Sequence, residues 1–176
     1  ENSVDHELGT LTIDSGGKLN SCGGDATLTI TSASGAPSNS RCWYVPNTAD
    51  SFVHNNGTVK FTAGSPQVEP VSAGQTATNN PFYNIEQTAG TIQWKGEHNR
   101  VLNNATIRGS QFNGSTGNLT VLGICTLTAE TFNSSDTSTN DTSYFKNLVI
   151  KSGATLDISA IDITVGSIRN EGGTVQ

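Results

Sequence analysis

The sequence predicts an all-β chain wound as a parallel β-solenoid (a β-helix), with loop insertions between its rungs. Three observations lead there. The chain repeats itself: Leu11-Thr12-Ile13-Asp14-Ser15-Gly16-Gly17-Lys18-Leu19 returns as Leu148-Val149-Ile150-Lys151-Ser152-Gly153-Ala154-Thr155-Leu156, with a looser copy from Leu119 to Leu127. A second phrase recurs as Asn56-Gly57-Thr58-Val59-Lys60-Phe61, Gly90-Thr91-Ile92-Gln93-Trp94 and Gly173-Thr174-Val175-Gln176. Such repetition marks stacked units that cannot bury their apolar faces alone. Short stretches also alternate apolar and polar residues with the two-residue period of strands, and no window shows helical spacing over three turns. Finally, Ser, Thr and Asn supply more than a third of the residues, against 33% hydrophobic and 14% charged. A coil with a thin axial core tolerates that composition better than a compact globule does.

The strands follow in order. Leu11/Ile13, Leu28/Ile30, Val59/Phe61, Ile92/Trp94, Leu119/Val121, Leu148/Ile150, Leu156/Ile158 and Ile161/Ile163/Val165 each place apolar side chains on one face. They end at Gly, Asn, Asp or Ser, which tolerate the positive φ of corners. Matched phrases predict shared inward columns, Leu11 with Leu119 and Leu148, and Val59 with Ile92 and Val175. Trp94 then occupies the position of Phe61. Polar stretches at 31–51, 64–81 and 133–143 read as insertions, which in solenoids leave one face and often form the binding surface. The chain is one domain, 1–176, with repeat-like units at 8–64, 82–132 and 144–176. The last unit stops where earlier copies continue with Phe61 or Trp94, so the chain reads as a segment of a longer array.

Charge and cysteines narrow the chemistry. A formal net charge of −6 offers no basic stripe for nucleic acid, and no apolar run is long enough for a membrane-spanning helix. Cys22 and Cys42 bracket an irregular Ser/Gly/Pro segment, where a disulfide in an oxidising compartment is one option and free thiols the other. Cys125 lies on an apolar strand and reads as a small core residue. His6, His54 and His98 are far apart and no Cys-x-x-Cys occurs, so no metal or cofactor is expected. Six Asn-x-Ser/Thr sequons, at Asn56, Asn104, Asn113, Asn118, Asn133 and Asn140, are close to the number that chance gives in so Asn- and Thr-rich a chain.

The phrases Phe145-Lys146-Asn147-Leu148-Val149-Ile150 and Ile168-Arg169-Asn170-Glu171-Gly172-Gly173-Thr174-Val175, with Phe82-Tyr83-Asn84-Ile85 as a degenerate Phe-x-Asn-Leu entry, resemble the repeats of parallel β-helical proteins. These are found in bacteriophage virions and in adhesin-type bacterial surface proteins. The resemblance covers about half the chain and implies a non-enzymatic structural virion protein, a phage tail fibre, spike or capsid-decoration module. It would be extracellular or on the virion surface, self-associating as a homotrimer or longer array, or bound to other virion proteins. Two alternatives stand beside it: a surface adhesin segment that binds glycans or protein, and a polysaccharide-degrading β-helix enzyme.

No catalytic motif of such enzymes matches. Glycan cleavage needs two converging carboxylates, and the acids that could meet are Asp157 with Asp162, and Asp136 with Asp141. Outward acids on a solenoid are ordinarily solvated, so no enzyme activity is expected. The partner or glycan contact is expected instead at Arg41, Trp43, Tyr44 and Asn47, where aromatic faces, a guanidinium and an amide sit together in the first insertion. The competing reading there has Trp43 covering the apolar interior of the coil.

Overall fold

The computed structural model describes residues 4–14, 16–21, 23–34, 41–45, 50–70, 79–96, 98–112, 118–134, 142–159 and 162–176. Among them every regular element is a strand, and every ladder between strands is parallel. The short alternating stretches cannot be long hairpins, because Gly, Asn and Ser stop them after a few residues. Each instead bends at a corner and pairs with its counterpart one coil on.

The coil has three faces. The first stacks His6–Leu8, Thr27–Ile30, Thr58–Phe61, Asn84–Gln87, Ala105–Ile107 and the second halves of Asn118–Leu127, Ser143–Lys151 and Ile163–Glu171. The second stacks Leu11–Thr12, Trp43–Tyr44, Gln67–Glu69, Ile92–Trp94, Ser110–Phe112, Thr131–Ser134, Thr155–Leu156 and Thr174–Val175. The third begins with Leu19–Asn20 on Phe52–Val53, passes through a bridge from Phe82 to Val101, and continues in His98–Val101 and the first halves of the three long strands. The architecture is therefore an all-β parallel β-solenoid, as the sequence predicts.

Register draws the core as columns. On the first face Leu28, Val59, Ile85, Ala105, Cys125 and Leu148 hold one inward position on successive rungs, with His6 and Ile168 at its ends. Two residues on, Ile107, Leu127 and Ile150 form the neighbouring column. On the third face Phe82, Val101, Val121, Phe145 and Val165 stack. The Phe-x-Asn-Leu resemblance thus marks true equivalence: Phe82 and Phe145 share one column, Ile85 and Leu148 another. Trp43, Phe52, Phe61 and Phe82 close together where the faces meet, with ring centroids 4.8 to 6.3 Å apart in mostly edge-on pairs. Aromatics of this size supply a large share of the apolar area that a thin core buries.

Other matches mislead. Leu11 lies on the second face and Leu148 on the first, so they share no column. Val59 is on the first face, whereas Ile92 and Val175 follow one column of the second through Ser110, Phe132 and Leu156. Trp94 pairs with Val68 on the second face, so its position is not that of Phe61. All inward strand positions meet the same apolar interior, and Leu-x-Ile therefore carries no label for its face. Two of the expected insertions contain rungs: Trp43–Tyr44 lies within 31–51 and Gln67–Glu69 within 64–81. Strands of two or three residues are too short for alternation to show. Ile158 stands outside the strand Thr155–Leu156 and is exposed.

Equivalent residues are 18 apart where the coil is tightest, between Ile92 and Ser110, and 33 apart where it is longest, between Leu19 and Phe52. Each of the units 8–64, 82–132 and 144–176 therefore spans more than one turn; within the last, Phe145 and Val165 are already equivalent. The abundance of Thr finds one reason at the corner after the first face. There the hydroxyls of Thr31, Thr62, Thr88 and Thr128 donate to the carbonyls of Leu8, Ile30, Phe61 and Ile107 one rung back, at 3.3 to 3.5 Å. Each bond reinforces an inter-rung contact at a place where the ladder would otherwise end. At the same corner Gly90 has φ +58, and a Cβ on it would lie 1.1 Å from the carbonyl oxygen of Gly64. Only glycine fits there.

Candidate functional site

The residues expected to make contacts separate. Trp43 is fully buried among Phe52, Phe61 and Phe82, so it belongs to the core and offers no face to a ligand. Its place in the two-residue strand turns it inward, while Tyr44 turns out beside Glu69 on the next rung. Arg41 forms an ion pair with that Glu69 carboxylate. Arg41 and Tyr44 therefore do come together, around a buried acid; Asn47 lies outside the described residues. Of the two cysteines weighed for a disulfide, Cys42 is a free, buried thiol whose Sγ donates to the Gln67 carbonyl at 3.1 Å, and Cys22 lies outside the described residues. Burial pushes the Cys42 thiol up to about 12.

Of the candidate acids, Asp157 and Asp162 are among the described residues. Asp157 accepts hydrogen bonds from the Ser159 hydroxyl at 2.7 Å and the Ser159 N–H at 3.0 Å, which hold its carboxyl below the ordinary carboxylate range. That is turn geometry, with no second carboxylate bonded to it. Asp162 leads into the long strand Ile163–Glu171, where its backbone carbonyl accepts from the Ser143 N–H at 3.0 Å. Asp136 and Asp141 lie outside the described residues. His98 opens the strand His98–Val101, with its ring Nδ1 3.4 Å from the Asn118 amide. His54 stacks on Tyr83 at 5.3 Å. Among the described residues no three His, Cys, Asp or Glu side chains converge as metal ligands would.

A different surface carries the better site. On the outside of the second face, Gln67, Gln93, Gln111 and Asn133 hold one position on successive rungs. Beside them runs a hydroxyl column in which Thr91 and Thr131 flank Gly109. Where Gly109 presents no side chain, the surface drops into a cleft of about 260 Å³ lined by Thr91, Gln111, Glu130, Thr131 and Asn133. A Cβ on Gly109 would come 2.9 Å from Glu130 Cβ and 3.1 Å from Thr91 Oγ1, so a side chain there would crowd both. Glu130 is anchored on one wall: its Oε2 accepts from the Thr91 hydroxyl at 2.8 Å, and its Oε1 lies 3.5 Å from Arg108 Nη2. Ile92 and Phe132 point away into the core, fully buried. Every side chain lining the cleft is polar.

This cleft was out of reach of sequence reasoning, because it depends on which residues lie side by side one coil apart. The local signal is Gly109, an isolated glycine between two strands, and such glycines often mark close approach. A second, mainly apolar cavity of about 370 Å³ lies at the first rungs, against His6, Glu7, Leu8, Leu19, Asn20, Ser21 and Leu28. At the other end Ile168 and Val175, inward by register, are 54% and 44% exposed. Comparison of the chain with protein-family models, with curated proteins and with solved structures finds no match.

Proposed function

We propose that the chain is a non-enzymatic structural module of a virion exterior, a phage fibre, spike or capsid-decoration element. One observation carries the proposal: apolar columns run unbroken through successive rungs under a polar exterior, which makes a stiff rod from a Thr- and Asn-rich chain. Immunogold labelling of purified particles and of the host cell surface tests it. Gold on particles supports the virion reading; gold confined to the cell envelope overturns it in favour of an adhesin segment.

The adhesin reading has its own support in the polar cleft of the second face, a ligand-sized notch for which a plain rod has no need. The enzyme alternative makes the opposite claim about soluble products. Incubation with a panel of neutral and acidic polysaccharides should release no reducing ends, and release would replace the structural reading with a hydrolytic one. Self-association, as a homotrimer or a longer array, is supported by the exposed inward residues Ile168 and Val175, which present apolar surface on a strand edge. Light scattering at tens of micromolar should show a mass above that of the single chain; a strictly monomeric chain removes the assembly claim.

A further inference from the structure

We infer that the cleft at Gly109 is a binding site for a neutral saccharide chain lying across the rungs, held by the Gln111 and Asn133 amides with the Thr131 hydroxyl and the Glu130 carboxylate. The inference deepens the ligand-binding reading of the second face and rests on it. Four features of the notch select this chemistry.

The first is availability. Among the described residues, neither the Gln111 nor the Asn133 side-chain amide makes a hydrogen bond, although both are half-buried at the cleft. Each offers two donors and an acceptor on a short plane, the pattern that matches adjacent hydroxyls on a sugar ring. The second is charge. Arg108 is already paired with Glu130, so among the described residues the notch presents one anchored carboxylate and otherwise neutral groups. A phosphate or sulfate would meet that carboxylate with no free cation beside it, and a hard metal ion would find too few anionic oxygens. The third is the lack of an apolar anchor. Peptide ligands seat side chains in pockets or add a strand to a sheet edge. Here the lining is polar, and the neighbouring backbone of Ser110–Phe112 is already bonded to rungs on both sides. The fourth is spacing. Gln111 and Asn133 are register partners on adjacent rungs, which repeat about every 4.8 Å, comparable to one hexose residue of an extended glycan. Gln93, one rung back, continues the same column. One sugar unit per rung keeps a glycan in phase with the amides.

Both tryptophans are buried, so no exposed indole stacks on the sugar. Affinity for a single short chain is therefore expected to be weak, near 1 mM, and to rise for longer chains that span several rungs.

The test is a titration of the 15N-labelled full chain followed by side-chain and backbone amide resonances. The probes are neutral trisaccharides of glucose, galactose and N-acetylglucosamine, with a sulfated trisaccharide as the anionic counterpart. At least one neutral probe should shift the Gln111 and Asn133 side-chain signals saturably. Gln111→Ala and Asn133→Ala should each weaken binding about fivefold, the worth of one hydrogen bond, with the rest of the spectrum unchanged. Tyr144→Ala serves as the control: Tyr144 is exposed on the third face, and its loss should leave binding intact. No saturable shift at Gln111 and Asn133 with any neutral probe up to about 50 mM, far above the expected constant, overturns the inference. So does tighter binding of the sulfated probe, or shifts confined to other faces. Failure here leaves the structural reading to stand or fall on immunogold labelling, and sugar cleavage during the titration would strike at that reading alone.

Discussion

Leu148 and Ile168 occupy the same inward column on adjacent rungs, yet Leu148 is 1% exposed and Ile168 54%. Truncating each to alanine therefore probes burial with chemistry and position nearly held constant. Leu148→Ala removes a fully enclosed side chain between Cys125 and Ile168. Lost transfer energy plus the cavity left behind should cost about 3 kcal/mol. Ile168→Ala removes a side chain that retains less than half of its possible burial, and full burial of such a residue is worth roughly 1.5–3 kcal/mol. The expected cost is about 1 kcal/mol, with no enclosed cavity. For a chain of this size each kcal/mol lowers Tm by roughly 2–4 °C. Thermal unfolding followed by circular dichroism should then show falls of about 9 °C and about 3 °C. Leu148→Asp, which places a charge in the same column, should exceed both. Equal falls for the two alanine variants would falsify the assignment of Ile168 to an uncovered rung, and an unchanged Tm for Leu148→Ala would place that residue outside the core.

Other expectations are narrower. Gly90→Ala must displace the Gly64 carbonyl and adopt an unfavourable φ, whereas Gly153→Ala, at φ +88 with open space around it, meets only the backbone penalty. Gly153→Ala should cost about 1 kcal/mol and Gly90→Ala clearly more, as read from urea midpoints; the reverse order would contradict the corner contact. Trp94 donates its Nε1–H to Ser110 Oγ at 2.9 Å in the core. Trp94→Phe should cost about 1–3 kcal/mol by stranding that hydroxyl, and Trp94→Phe with Ser110→Ala should recover part of the loss. Burial raises Cys42 and Cys125 from 9.0 to about 12. The folded chain thus keeps protons that the unfolded chain releases, so their contribution to stability is intact below pH 9.0 and is lost as pH climbs toward about 12. Labelling of Cys42 and Cys125, located by peptide mapping, should be slow near pH 9.0 in the folded chain and fast in urea, and prompt labelling of either without urea would contradict its burial.

The fold could be read because its physics repeats. Phe82/Phe145 and Ile85/Leu148 keep both residue type and spacing around an Asn, and that three-part phrase identified true columns. Leu-x-Ile alone did not, since every face selects the same alternation; Leu11 and Leu148 look alike and lie on different faces. Trp43 illustrates the limit on short elements: a two-residue strand among Ser, Pro and Asn has no visible period, and its burial is decided by Phe52, Phe61 and Phe82, all outside that strand in sequence. The cleft was hidden for a related reason. Thr91, Gln111 and Asn133 are ordinary polar residues until the coil sets them side by side, and coil length varies from one turn to the next.

That variation is unevenly distributed. Apart from residues 31–42, the longer connections, such as 70–81 and 135–142, all run from the second face to the third, while the turn from the first face to the second shrinks to Arg108-Gly109 at its shortest. The columns stay in register whether equivalent residues are 18 or 33 apart. One edge of the prism is therefore decoupled from the frame, and length changes there cost little more than loop entropy. Foreign peptides spliced at that edge in several coils would emerge in a single file, pitched at the rung repeat of about 4.8 Å. The molecule is in this sense a ruler with one writable margin.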